Sequence, residues 1–193
     1  ETAGVVVQDN WNNVTGGLTT ATLTQTNAID SAGAATTADF SFTVNGSGVH
    51  TTSAGTGDMQ LYNHGVFMST GTGTALQDII TISEIPYAVY DVYIYIGRNH
   101  NGTAIDDRSW QFRLGGEDIF AGELPDGPPF SGYVLATGTS LVNTPDANYG
   151  VVSNVSGASI TIQGAASAGR EVVSAIQSVE VPEPGSFALL GLG

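Results

Sequence analysis

The sequence contains no cysteine and no lysine, and very little charge of any kind. Without cysteine there can be no disulfide, thiolate metal site or thiol nucleophile. Arg98, Arg108, Arg113 and Arg170 carry all the fixed positive charge against 18 Asp and Glu, for a formal net charge of −14. Nucleic acid is excluded as an expected partner, because phosphate binding needs clustered Lys and Arg. Anionic membrane surfaces are disfavoured for the same reason. Charged residues make up 11% of the chain, well below the roughly 25% of ordinary soluble domains. No run approaches the roughly 18 apolar residues that cross a bilayer. Helical periodicity is nearly missing, and there is no Gly-x-Ser-x-Gly elbow, phosphate loop or dinucleotide fingerprint. The first residue is Glu1, with no basic and apolar leader after it, so the expectation is a leader that has been removed or lies outside the sequence.

What is present is strand and turn chemistry. The 193 residues, 41% of them hydrophobic, suffice for one domain with a sizeable core. Gly contributes 26 residues, Thr 22 and Ser 16. Thr favours strands, while Gly and Asn supply turns. Such a surface suits an exported β-protein.

Period-2 alternation dominates. Ala38–Val44 places Phe40, Phe42 and Val44 on one face. Tyr90, Val92, Ile94 and Ile96 alternate with Asp91, Tyr93, Tyr95 and Gly97, which predicts one buried face and an aromatic pair, Tyr93 and Tyr95, on the other. Trp110, Phe112 and Leu114 alternate with Ser109, Gln111 and Arg113, and Ile160 and Ile162 with Ser159, Thr161 and Gln163. Weaker strand patterns cover Val5–Gln8, Leu18–Gln25, Leu76–Glu84, Gly132–Thr137 and Val172–Val181. Between them, Asn45–Gly48, Asn99–Gly102, Pro125–Pro129 and Ser153–Gly157 read as turns, and Ala121–Gly132 as an ordered surface loop. About ten short strands spaced this way predict an all-β fold, a single jelly-roll-like sandwich of two sheets over residues 1–181. Pro182 and Pro184 forbid continued pairing beyond it, leaving 182–193 as a short apolar tail.

The last thirteen residues run Val181-Pro182-Glu183-Pro184-Gly185-Ser186-Phe187-Ala188-Leu189-Leu190-Gly191-Leu192-Gly193. They resemble the PEP-CTERM sorting signal of Gram-negative bacteria: a Pro-Glu-Pro triplet (here Pro182, Glu183, Pro184), a small polar pair, then an apolar run. The family's run continues into a membrane span capped by arginines; here it is short and uncapped. The resemblance implies export, recognition by an exosortase near the triplet, and a place at the cell surface or in an exopolysaccharide-rich biofilm matrix. The opening Ala3–Asn13, the Ile85-Pro86 turn before Tyr90-Asp91-Val92-Tyr93-Ile94-Tyr95, and the closing Ala175–Val179 are similar to a planctomycete/verrucomicrobial group of such proteins. That group looks like galactose-binding and malectin-like jelly rolls, which supports the sandwich but fixes no activity.

The loop from Gly97 to Arg108 gathers Arg98, Asn99, His100, Asn101, Asp106 and Asp107. As a glycan site it would offer amides and carboxylates, with Tyr93 or Tyr95 as a stacking face. As a cation site, Asp106 and Asp107 would present hard oxygens to Ca²⁺. The plainer alternative is a solvated hairpin loop whose Arg98 and Arg108 pair with nearby aspartates. His50, His64 and His100 lack ligand spacing, so no metal centre is expected. Trp11 and Trp110 suit core packing better than sugar platforms. Asn-x-Ser/Thr sequons at Asn13, Asn45, Asn101 and Asn154 are candidate glycosylation sites.

No cofactor and no catalytic residue is expected. The leading expectation is a non-enzymatic extracellular structural protein whose copies associate into a filament or matrix. Sheet edges with few charges permit strand addition, and Phe187–Leu192 or Gly4–Gln8 could pack into a neighbour. The alternative is a lectin-like module tethering exopolysaccharide.

Overall fold

The computed structural model describes residues 2–13, 22–43, 49–51, 57–67, 73–97, 108–124, 130–167 and 172–182. It is all-β, with open antiparallel sheets. The strands are β1 (Thr22–Gln25), β2 (Asp39–Thr43), β3 (Val49–Thr51), β4 (His64–Phe67), β5 (Gly73–Ser83), β6 (Val89–Ile96), β7 (Ser109–Leu114), β8 (Glu117–Gly122), β9 (Tyr149–Ser156), β10 (Ile160–Ala166) and β11 (Val172–Glu180). A single helical turn, α1 (Asp58–Asn63), precedes β4. No helix among the described residues is long and apolar enough to cross a membrane.

One sheet has six strands in the order β1-β2-β5-β10-β7-β8, the other five in the order β3-β4-β11-β6-β9. The chain changes sheet at most connections, so neither sheet can form alone. The alternating residues explain what holds the sheets together. Ile80, Ile82, Trp110, Phe112, Leu114, Ile160 and Ile162 from the first sheet and Tyr90, Val92, Ile94, Ile96 and Val173 from the second form one buried cluster. Phe40 and Phe42 pack against its margin. Each fully buried large side chain contributes on the order of 1.5–3 kcal/mol.

Local irregularities fit the sheets to this core. Ile79 is an extra residue in β5 where its pairing with β10 shifts register between Ile162 and Gln163, and both Ile79 and Ile80 are buried. Gly164 makes room: a Cβ there would lie 2.7 Å from Ile79 Cδ1. A second bulge sets Ser153 and Asn154 against Asp91, between the Val92–Val152 and Tyr90–Val155 pairs. Asn154 takes φ 57° and donates its N–H to Asp91 Oδ1 at 2.9 Å.

Several sequence expectations are corrected. Val5–Gln8 is no strand but part of a turn closed by reciprocal Ala3–Gln8 backbone bonds of 3.0 and 3.1 Å. Gly132–Thr137 is irregular, touching β9 through one bridge at Leu135. Ser153–Ser156, expected as turn, belongs to β9, because the bulge absorbs Asn154 without ending the pairing. Ala121 and Gly122, expected in a loop, end β8. Of Leu18–Gln25, the strand is described from Thr22. The turns at 45–48, 99–102 and 125–129 lie outside the described residues.

Candidate functional site

The aromatic pair anticipated on β6 is the first feature the structure revises. Tyr93 is half-buried, but Tyr95 is 1% exposed and unavailable as a stacking face. Both alternate with the core-facing residues of β6. Tyr95 is nonetheless covered, because segment Thr2–Asn12 lies over the sheet there. No local periodicity could signal that cover, which comes from residues more than 80 positions earlier.

The cover is held by a compact polar and aromatic network. The Tyr95 hydroxyl accepts the Val5 N–H at 2.8 Å and lies 2.8 Å from Gln177 Oε1, to which it donates. Gln177, on β11, donates through Nε2 to Val6 O at 2.7 Å and to Gln8 Oε1 at 2.9 Å. Asp58, in the first turn of α1, accepts the Gly4 N–H at 2.9 Å and the Tyr133 hydroxyl at 2.5 Å. Rings enclose these bonds: Trp11 meets Tyr95 edge-on with centroids 5.9 Å apart, and Tyr133 stands edge-on to Tyr95, Phe130 and Tyr149. Burial pushes the Tyr95 hydroxyl up to about 12. It also raises Tyr133, which the neighbouring Asp58 carboxylate holds protonated still more firmly. Both phenols are therefore neutral donors at ordinary pH.

The backbone of the covering segment fits only with glycine at position 4. Gly4 has φ 104°, and a Cβ there would sit 3.0 Å from Trp11 Cζ2, from the Tyr95 hydroxyl and from Val6 O. Asn10 and Asn12 pin the following residues: Asn10 Nδ2 donates to Ser31 O, while Asn12 exchanges two bonds with the Ile29 backbone.

Of the expected loop site, Arg98, Asn99, His100, Asn101, Asp106 and Asp107 lie outside the described residues. Arg108 is described and lies beside Glu123, with Nε and Oε2 3.9 Å apart. Among the described residues no three His, Asp or Glu side chains come together as a metal site requires. Asn13 and Asn154 are exposed; Asn45 and Asn101 lie outside the described residues. Pro182 is exposed two residues beyond β11, and Glu183 and Pro184 also lie outside. Trp110 is core, as its alternation implied, whereas Trp11 is half-buried and serves the network around Tyr95.

The sheet edges form the second candidate surface. β8 is covered by the segment after Ser140: Gly122 N donates to Pro145 O at 2.8 Å and Ala147 N to Gly122 O at 3.0 Å. β9 is covered at Tyr149 by Val134–Ala136 and broken by its bulge further on. β3 is three residues long. β1 differs from all three. Its residues Thr22, Leu23, Thr24 and Gln25 are uncharged, it has no bulge, and no described residue pairs with its outer side.

No protein-family model matches the chain, and neither a curated protein nor a solved structure matches it.

Proposed function

We propose that the protein is a non-enzymatic structural protein of the bacterial cell surface or biofilm matrix, whose copies associate through sheet edges. The observation that carries this reading is the uncharged edge at β1, whose outer side no described residue covers. Unpaired N–H and C=O groups on such an edge are a template for another strand, and charge, proline or a cover is the usual defence. The other three edges each have a cover, a bulge or minimal length. Among the described residues β1 has neither cover nor bulge, and none of its four residues is charged to repel a partner.

The Pro182-Glu183-Pro184 element and the apolar run after it support export and sorting in the manner of PEP-CTERM proteins of Gram-negative-type bacteria. The frequent change of sheet from strand to strand supports a jelly-roll-like topology of the galactose-binding or malectin-like kind. A lectin-like role is the weaker reading. With Tyr95 buried, it would rest on Tyr93 and on a loop outside the described residues.

The test is assembly of the full chain with the edge blocked. Thr22→Lys and Thr24→Lys place charge on exposed side chains of β1 while leaving Leu23, which is buried, in place. Light scattering and negative-stain microscopy at micromolar concentrations should show concentration-dependent assembly of the natural chain and its loss in the double variant. Unchanged assembly of that variant would retire the edge as the contact.

A further inference from the structure

The groove lined by Tyr95, Gln177, Asp58 and Tyr133 is built to bind main chain. Its donors and acceptors meet Gly4 N, Val5 N and Val6 O. The valine side chains are left largely outside, with Val7 69% exposed and Val5 and Val6 half-buried, while Gln8 and Trp11 add one side-chain bond and one ring contact. The close fit is required at Gly4, where any side chain would strike Trp11 and Tyr95. None of Tyr95, Tyr133, Asp58 or Gln177 belongs to the core shared by the two sheets. The groove is thus a peptide-docking site set on the outer face of a separately stabilised body, and in this structure it holds the chain's own residues 2–12.

We infer that the same groove accepts residues 2–12 of a second copy of this chain, so that exchange of the segment links neighbouring molecules. Every contact made within one molecule is reproduced between two, so exchange creates no new strain in the groove. The outcome is set by concentration. Linkage to its own body gives the internal segment an effective concentration on the order of millimolar, which neighbouring copies have to match. Emptying the groove takes from the Tyr95 hydroxyl its Val5 N–H donor and from Gln177 Nε2 its Val6 and Gln8 acceptors, while the Tyr95–Gln177 bond remains, so a segment from a second copy restores what the internal one supplied. The inference deepens the self-association proposed above, but rests on a different surface from the β1 edge.

The test uses two full-length variants, both carrying Thr22→Lys and Thr24→Lys so that edge pairing is removed. One has a spoiled segment, Gly4→Val. The other has a spoiled groove, Asp58→Asn with Tyr95→Phe, and an intact segment. Neither substitution set touches the shared core, and circular dichroism is used to check that both variants fold. Each alone should run as a monomer, and an equimolar mixture should form a heterodimer, doubling the mass by light scattering as concentration rises. Monomers in the mixture at millimolar concentration would overturn the inference, as would dimers of either variant alone. A synthetic peptide of residues 2–12 gives a second readout: it should bind the Gly4→Val chain saturably, whereas the same peptide carrying Gly4→Val should not. Failure of the natural peptide to bind would also overturn the inference. The edge reading is judged separately, by whether the lysines abolish assembly of the otherwise natural chain at micromolar concentration, below the range in which segments exchange.

Discussion

Tyr95 and Gln177 stand on adjacent strands of the five-stranded sheet, and the phenol donates to the amide oxygen at 2.8 Å while accepting the Val5 N–H. This pair joins the sheet to a segment more than 80 residues earlier in sequence. Tyr95→Phe removes both bonds and leaves the Val5 donor and the amide oxygen short of partners. The expected cost is about 1–3 kcal/mol, read as a lower denaturant midpoint with an unchanged slope. Faster proteolysis within residues 2–12 should accompany it.

Alkaline pH should loosen the same region. Tyr95 titrates at about 12 in the folded protein against roughly 10 when unfolded, so between these values the folded state holds the extra proton. Stability from this group is complete below about pH 10 and is lost as pH rises toward 12. Tyr133 is raised as well, first by burial and then by Asp58, and acts with the same sign. Unfolding free energies measured from pH 9 to 12 should fall, and the fall should be shallower in Tyr95→Phe. A flat profile would contradict the assignment.

Asn154 holds a left-handed backbone conformation inside β9, which Asn tolerates and β-branched residues do not. Asn154→Val should destabilise the protein by about 1–2 kcal/mol, while Asn154→Gly should be close to neutral. Thermal melts of the two variants check the difference.

Gly122 closes the β8 edge because a Cβ there would collide with Thr144 O and lie 3.1 Å from Pro145 O. Gly122→Ala should push the covering segment away at a cost of about 1–3 kcal/mol. Limited proteolysis should then cut faster among residues 138–146, with little change elsewhere.

The core was legible because its strands are half-buried and alternate cleanly: Trp110, Phe112 and Leu114, then Tyr90, Val92 and Ile94, then Ile160 and Ile162. What the sequence hid has two physical causes. The first is irregular backbone. Asn154 looks like a turn residue, yet sits in a bulge tied to Asp91, so Ser153–Ser156 of β9 reads as turn. β8 did carry a signal, since Gly115 and Gly116 both take positive φ in the two-residue turn that precedes it, the pattern of a tight hairpin. The second cause is long-range cover. Tyr95 has the phase of a surface residue and is buried because residues 2–12 and the Tyr133 ring lie across it. Val5–Val7 read as strand by composition, but Gly4 turns them back into a closed loop.

Sedimentation velocity of the full chain, run from micromolar to millimolar beside its Thr22→Lys/Thr24→Lys variant, bears most directly on self-association through β1. The natural chain should shift to larger species as concentration rises, and the lysine variant should lose that edge-driven growth. A natural chain that sediments as a monomer across the whole range would contradict the proposed role.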